Sequence, residues 1–231
     1  MAIYEEAEYR NIFEVRTEVT PTDMSPVRVN LHVTASENPS AWGFQIPEGG
    51  PLIHFHVAKD GTVEQYVDTQ YRAGSDLEGN PDTISIESQG GVEAPNEEPW
   101  TEQQVTSITA LLDWILANHD SIPLKLAEDS IPGESSHGIS WHRLGIPHAD
   151  GIGVEGWLQE GGLRYSEDVG KVCPGTVKIE QIPGIYESLN SGGVPDPDPA
   201  GVQKASSKPM PRTFTRQDIV PLYDDACPSL L

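Results

Sequence analysis

Positive charge is scarce in this sequence. Its 231 residues hold 14 lysines and arginines against 36 aspartates and glutamates, a net charge of −22. Such a field repels a phosphate backbone, which argues against nucleic acid as a partner and disfavours anionic membrane surfaces. No apolar run approaches the roughly 18 residues that a membrane span needs. The segment from Met1 to Arg16 is acidic and polar, without the positive start and apolar stretch of a secretory leader. The expectation is a product made in the cytoplasm, with any export supplied by another component. Cysteine is limited to Cys173 and Cys227. A reducing compartment would keep both as thiols, and two cysteines alone do not choose between bridge, ligand and bystander. There is no internal repeat and no closely spaced cysteine pair. Hydrophobic residues make up 36% of the chain, beside 22 glycines and 20 prolines, so a core is possible but loops must be plentiful.

What is present is patterned. Val27, Val29, Leu31 and Val33 alternate with Arg28, Asn30 and His32. This reads as a half-buried strand with His32 on its polar face. Ile53, Phe55 and Val57 alternate with His54, His56 and Ala58, Lys59-Asp60-Gly61 supplies a turn, and a return strand runs from Thr62 to Val67. Thr83 to Gln89 reads as a further strand. Thr101 to Asn118 is the strongest helix: Thr101 and Gln104 form a capping box, and Val105, Ile108, Leu112 and Ile115 recur at helical spacing. Leu124 to Leu126 suggests a brief strand. Ser135 to Gly175 is irregular, rich in Gly and His, the kind of segment that carries sites. The reading is an α/β domain with a central mixed β-sheet flanked by helices. It occupies 1–189, followed by a Pro/Gly/Ser-rich linker at 190–212 and a tail at 213–231 that is too short to fold alone.

Three residues are candidate metal ligands: His32, His142 and Cys173. Two imidazoles and a thiolate suit Zn²⁺, and three protein ligands leave a position open, the mark of a catalytic site. Their spacing alone says little. A histidine among seven is more often a surface or core residue, Cys173 could be a small buried apolar side chain, and Glu87 could be one more solvated acid among 36.

At these residues the chain resembles the zinc N-acetylmuramoyl-L-alanine amidases, the family shared by phage endolysins, bacterial muropeptide amidases and peptidoglycan-recognition proteins. The likeness runs in order from about Val29 to about Ile185. It is carried by Leu31-His32-Val33-Thr34-Ala35-Ser36, by His54-Phe55-His56-Val57-Ala58-Lys59-Asp60-Gly61-Thr62-Val63, and by Ile84-Ser85-Ile86-Glu87-Ser88-Gln89-Gly90-Gly91. Thr101-Glu102-Gln103-Gln104, Trp141-His142-Arg143 and Lys171-Val172-Cys173-Pro174-Gly175 complete it. The resemblance implies a single amidase-like domain and a hydrolase cutting peptidoglycan between N-acetylmuramic acid and L-alanine. His32, His142 and Cys173 would hold zinc, Glu87 would act as acid–base, and Lys171 would stabilise the oxyanion. His54 would support the site rather than ligate.

The chain also departs from the family. The interval from His142 to Cys173 is much longer than usual, with extra residues near 144–169 that would shape the substrate groove; Asp168 is an alternative third ligand. His137 and His148 compete for the second. Ile53 stands where one branch has a catalytic Tyr, and Asp76 where some members have a His. The leading reading is a phage endolysin that acts on the bacterial cell wall and recognises muramyl stem peptides. Alternatives are a virion-associated lysin docked to virion proteins through its tail, a cytosolic recycling amidase and a non-catalytic recognition module.

Overall fold

The alternation around His32 becomes strand β2, Arg28–Val33. In the computed structural model, which describes residues 2–149 and 156–192, β2 is joined in one sheet by five other strands. They are β1 (Glu8–Tyr9), β3 (Phe55–Val57), β4 (Val63–Gln65), β5 (Thr83–Ser88) and β6 (Gly138–Trp141). The order across the sheet is β1-β4-β3-β5-β2-β6. The β3–β4 hairpin is antiparallel and every other pairing is parallel. The hairpin turns at Gly61, whose φ of +88° suits a residue without Cβ.

Directly paired residues on neighbouring strands put their side chains on the same face. One face carries Val29, Leu31, Phe55, Val57, Ile84, Ile86 and Ile139, all buried. Helix α2 (Glu102–Asn118) and helix α3 (Thr176–Asn190) pack there, through Ile108, Leu111, Leu112, Ile115, Ile182, Ile185 and Leu189. The Thr101 capping box is formed: Thr101 Oγ1 accepts from the Gln104 amide and Gln104 Oε1 accepts from the Thr101 amide, each at 3.1 Å. Gln104 Nε2 in turn donates to the carbonyls of Val57 and Gln89, tying the start of α2 to the ends of β3 and β5. The short helix α1 (Trp42–Gln45) belongs to a smaller cluster built on Ile12, Ile53 and Tyr66.

The other face differs from the sequence expectation. Arg28, Asn30 and His32 were read as the polar side of a half-buried strand, yet all three are buried. The reason is that the loop around Asp76 to Asp82 and segments between Ser136 and Cys173 cover this face, so the sheet is enclosed on both sides. Residues 135–175 hold β6, which the Gly- and Ser-containing sequence Gly138-Ile139-Ser140-Trp141 signals weakly. Leu124 to Leu126 contributes one parallel bridge, Leu126 to Ile139. Helix α3 was not read from the sequence, because Pro183 lies inside it and Pro183-Gly184 looks like a break. No helix among the described residues is long and apolar enough to cross a membrane. Most of the linker at 190–212, all of the tail at 213–231 and Cys227 lie outside the described residues.

Candidate metal centre and active site

Register builds the site. Glu87 of β5 is paired with His32 of β2 on one side and with His56 of β3 on the other. Trp141, the last residue of β6, is paired with Leu31, so His142 emerges beside His32. The two rings lie 4.3 Å apart between centroids, at 40°. Cys173 arrives from the start of α3, where its Sγ accepts a hydrogen bond from the Val33 amide at 3.2 Å. The turn that delivers it depends on Gly175: its φ is +112°, and a Cβ there would lie 1.8 Å from the Pro95 carbonyl oxygen. One donor atom from each of His32, His142 and Cys173 falls within 4.8 Å of the others, and all three residues are buried. These three could hold a metal ion.

Both imidazoles are oriented from behind. His32 Nε2 lies 3.0 Å from Asp76 Oδ1, and Asp76 is itself held by Asn30 Nδ2 at 2.6 Å and by its own amide donating to Asn80 Oδ1 at 2.7 Å. His142 Nε2 lies 2.9 Å from the Tyr165 carbonyl oxygen, to which it donates. That leaves Nδ1 of each ring on the inner side, and His142 Nδ1 is buried with no hydrogen-bond partner. A bare buried acceptor is costly, and a cation between the three donors would remove the cost. An outer partner on the far nitrogen of each ligating histidine is the usual arrangement at metal sites.

The charges follow from this packing. Burial alone would raise the Asp76 pKa, but His32 beside it outweighs burial and brings it down to about 2. Burial, reinforced by His32, lowers His142 to about 3, so its ring is neutral and available as a ligand. Glu87 is pushed above its ordinary value by burial, against the pull of His32, Lys171 and His56. His32 Nδ1 is 3.7 Å from Glu87 Oε1. His54 lies off the metal group: its Nδ1 accepts from the Ser85 amide at 3.0 Å, its Nε2 meets the Tyr71 carbonyl at 2.9 Å, and burial lowers it to about 4.

The group opens into a cleft of about 200 Å³, lined among others by His32, Glu87, His142, Lys171 and Cys173. Asp168 lines the same cleft but is not part of the three-residue group. His137 lies on a separate surface depression beside Asp120 and Lys125, and the His148 ring packs on Trp157 at 4.8 Å. The long segment after His142 supplies Ser166, Glu167 and Asp168 to the cleft wall. It also supplies the Tyr165 carbonyl behind His142.

Against this geometry, the family model for N-acetylmuramoyl-L-alanine amidase matches residues 22–175. The chain belongs to the N-acetylmuramoyl-L-alanine amidase family. The match spans every residue assembled above, from β2 through Gly175. Among solved structures, the chain is similar to the endolysine amidase LysCS from Clostridium intestinale URNW, at 18% identity and a TM-score of 0.54, covering 82% of this chain and 99% of that one. It is similar to the amidase LysC from the same organism at 19% identity and a TM-score of 0.50, covering 74% and 91%. It is similar to PlyL at 12% identity and a TM-score of 0.52, covering 81% and 99%. Identities this low speak to the amidase fold alone. No curated protein sequence matches.

Asp76 and Arg143 were not singled out as site residues from the sequence. Asp76 was read only as a departure from a family His. Its weak signal was a Ser75-Asp76 pair inside a Gly-containing loop. Arg143 had none beyond standing next to His142.

Proposed function

We propose that this amidase is zinc-dependent and cuts peptidoglycan between N-acetylmuramic acid and L-alanine, as a lysin of the phage endolysin type. The observation that carries it is the convergence of two inward-facing imidazole nitrogens and a cysteine sulfur beside a buried glutamate. A nitrogen-and-sulfur donor set of three suits Zn²⁺ better than harder cations, and His32, His142 and Cys173 would hold it. Bound there, zinc supplies Lewis acidity at the amide carbonyl and acidifies water. Glu87, with its pKa raised by burial, is suited to take a proton from water and return it to the departing alanine nitrogen. Lys171 brings a positive charge to the cleft wall, where it can face the oxygen that becomes negative.

The muramyl stem peptide would lie in the cleft, against the wall formed by residues 166–168. The endolysin reading is supported by a similar solved structure described as an endolysine amidase. The catalytic unit would be 1–189, with 190–212 as linker and 213–231 as tail. The test is mass spectrometry of purified peptidoglycan incubated with the zinc-loaded protein. Release of stem peptides with a free L-alanine amino terminus is expected. Binding without release would instead mark a recognition module.

A further inference from the structure

The long segment after His142 does more than wall the cleft. It is clasped to the loop that carries Asp76. Glu78 and Arg164 bond through backbone and side chain together. The Glu78 amide donates to the Arg164 carbonyl at 3.0 Å, and the Arg164 amide donates to Glu78 Oε2 at 2.8 Å. The Arg164 guanidinium adds two donations to Glu78 Oε1, from Nε at 3.1 Å and from Nη2 at 2.6 Å. The two residues are 86 positions apart in the chain, so the clasp joins segments that nothing local holds together.

The next residue, Tyr165, sits between the supports of the two histidines. Its ring is buried against two glycines. A Cβ at Gly79 would stand 2.8 Å from Tyr165 Cε1, and one at Gly145 would stand 2.3 Å from Tyr165 Cγ. Gly145 closes the turn His142–Gly145 that carries the second histidine. The Tyr165 amide donates to the Gly145 carbonyl at 2.7 Å, and the Tyr165 carbonyl accepts from His142 Nε2 at 2.9 Å. Gly79 closes the turn Leu77–Gly79. Its amide donates to the carbonyl of Asp76 at 2.6 Å, and Asp76 stands 3.0 Å behind His32. A ring packed this closely between two stretches of backbone cannot shift without disturbing both.

We propose that Glu78 and Arg164 are positioning residues for the metal ligands: their clasp locks Tyr165 in place and so ties the support behind His142 to the support behind His32. The proposal rests on the reading of His32, His142 and Cys173 as zinc ligands. The pair is partly exposed, at 40% and 48% for the two side chains, and exposed pairs contribute little to global stability. What this one contributes is local order. It holds the Tyr165 carbonyl where His142 Nε2 meets it before any metal arrives, and an outer partner fixed in advance is what orients a ligating imidazole.

The experiment compares Glu78→Ala, Arg164→Ala and the double variant with the parent, in the full chain. Zinc affinity is measured by competition with a chromophoric chelator, and urea denaturation of the zinc-free chain is followed beside it. Each single change should weaken zinc binding roughly tenfold, the lower end of what outer partners of ligands contribute. The urea midpoint should stay near the parent value. The double variant should lose no more than either single one, because the two residues act as a pair. Unaltered affinity, additive losses, or a loss matched by a fall in the urea midpoint would each overturn the proposal. Nitrogen NMR of the histidine rings in the zinc-free chain gives a readout that needs neither metal nor turnover. The His142 Nε2 proton should be protected from exchange in the parent and lose that protection in Arg164→Ala. A proton equally protected in both, or unprotected in the parent, overturns the proposal. If the parent takes up no zinc, the metal reading fails, while the ring signal still decides whether the clasp holds Tyr165 against His142.

Discussion

The Arg143 guanidinium donates twice to the backbone carbonyl of Val172, through Nε at 3.1 Å and Nη2 at 2.7 Å. Arg143 follows His142 and Val172 precedes Cys173, so one side chain braces the approach of two candidate ligands. Its other contacts, Thr176 Oγ1 at 3.1 Å and Asn96 Oδ1 at 2.8 Å, extend the brace to the start of α3. Arg143→Ala should weaken zinc binding by roughly 10–100-fold, in line with other residues that orient ligands, while turnover at saturating zinc stays near the parent value. Arg143→Lys should restore only part of it, since an ammonium cannot reproduce the forked geometry. Competition with a chromophoric chelator measures the affinity, and an unaltered value would remove Arg143 from this role.

Cys173→Ala should lose both zinc and activity, because the sulfur is one of three donors that converge among the described residues. Metal analysis after dialysis gives the answer. If zinc stays bound, the third ligand is another group, with Asp168 in the cleft wall the first to examine.

Glu87→Gln keeps the size and polarity of the side chain and removes its ability to carry a proton. The zinc content should be unchanged and kcat should fall about 10²–10⁴-fold, the usual worth of a general acid–base. Near-normal turnover of peptidoglycan would mean that the proton travels by another route.

Stability has its own electrostatic element, in the first turn of α3. Lys178 of α3 is fully buried and pairs with Glu98, whose carboxylate also meets Lys59 Nζ at 2.8 Å and accepts from the Gly91 amide. Burial would raise the Glu98 pKa, but these partners outweigh it and hold it below the ordinary glutamate value. A pKa depressed on folding contributes stability above the ordinary range, and that contribution disappears as pH falls through the depressed value. Glu98→Gln should therefore destabilise the protein at neutral pH, by about 2 kcal/mol, because the buried Lys178 loses its counter-charge and keeps only the Glu98 carbonyl at 2.7 Å. The gap between variant and parent should close as the pH drops below the ordinary glutamate range. Urea denaturation at pH 7 and at acid pH tests this; an equal gap at both would show that charge pairing is not the cause.

The readable parts of this protein were those in which neighbours in sequence carry the signal. Strand β2 and the hairpin showed themselves by alternation, and α2 by its capping box and apolar stripe. The ligand candidates were legible through short segments such as Trp141-His142-Arg143. What escaped was set by pairing across strands or by burial from afar. Nothing near His32 says that Asp76 will stand behind it, because that contact depends on a loop folding over the sheet. His56 looked like one more residue of an alternating hairpin, and only the register with Glu64 and Glu87 gives it company. Helix α3 was hidden by Pro183-Gly184, where packing of Ile182 and Ile185 against the core overrides local preference.

The sheet ends in a two-residue strand, β1, on one side and in the four-residue β6 on the other, where the Leu126 bridge occupies part of the outer edge. Among the described residues, the sheet therefore offers little unpaired edge backbone to a second molecule, and the negative charge repels one that approaches. A six-stranded protein of this kind should stay dispersed when concentrated, without stacking edge to edge into larger aggregates.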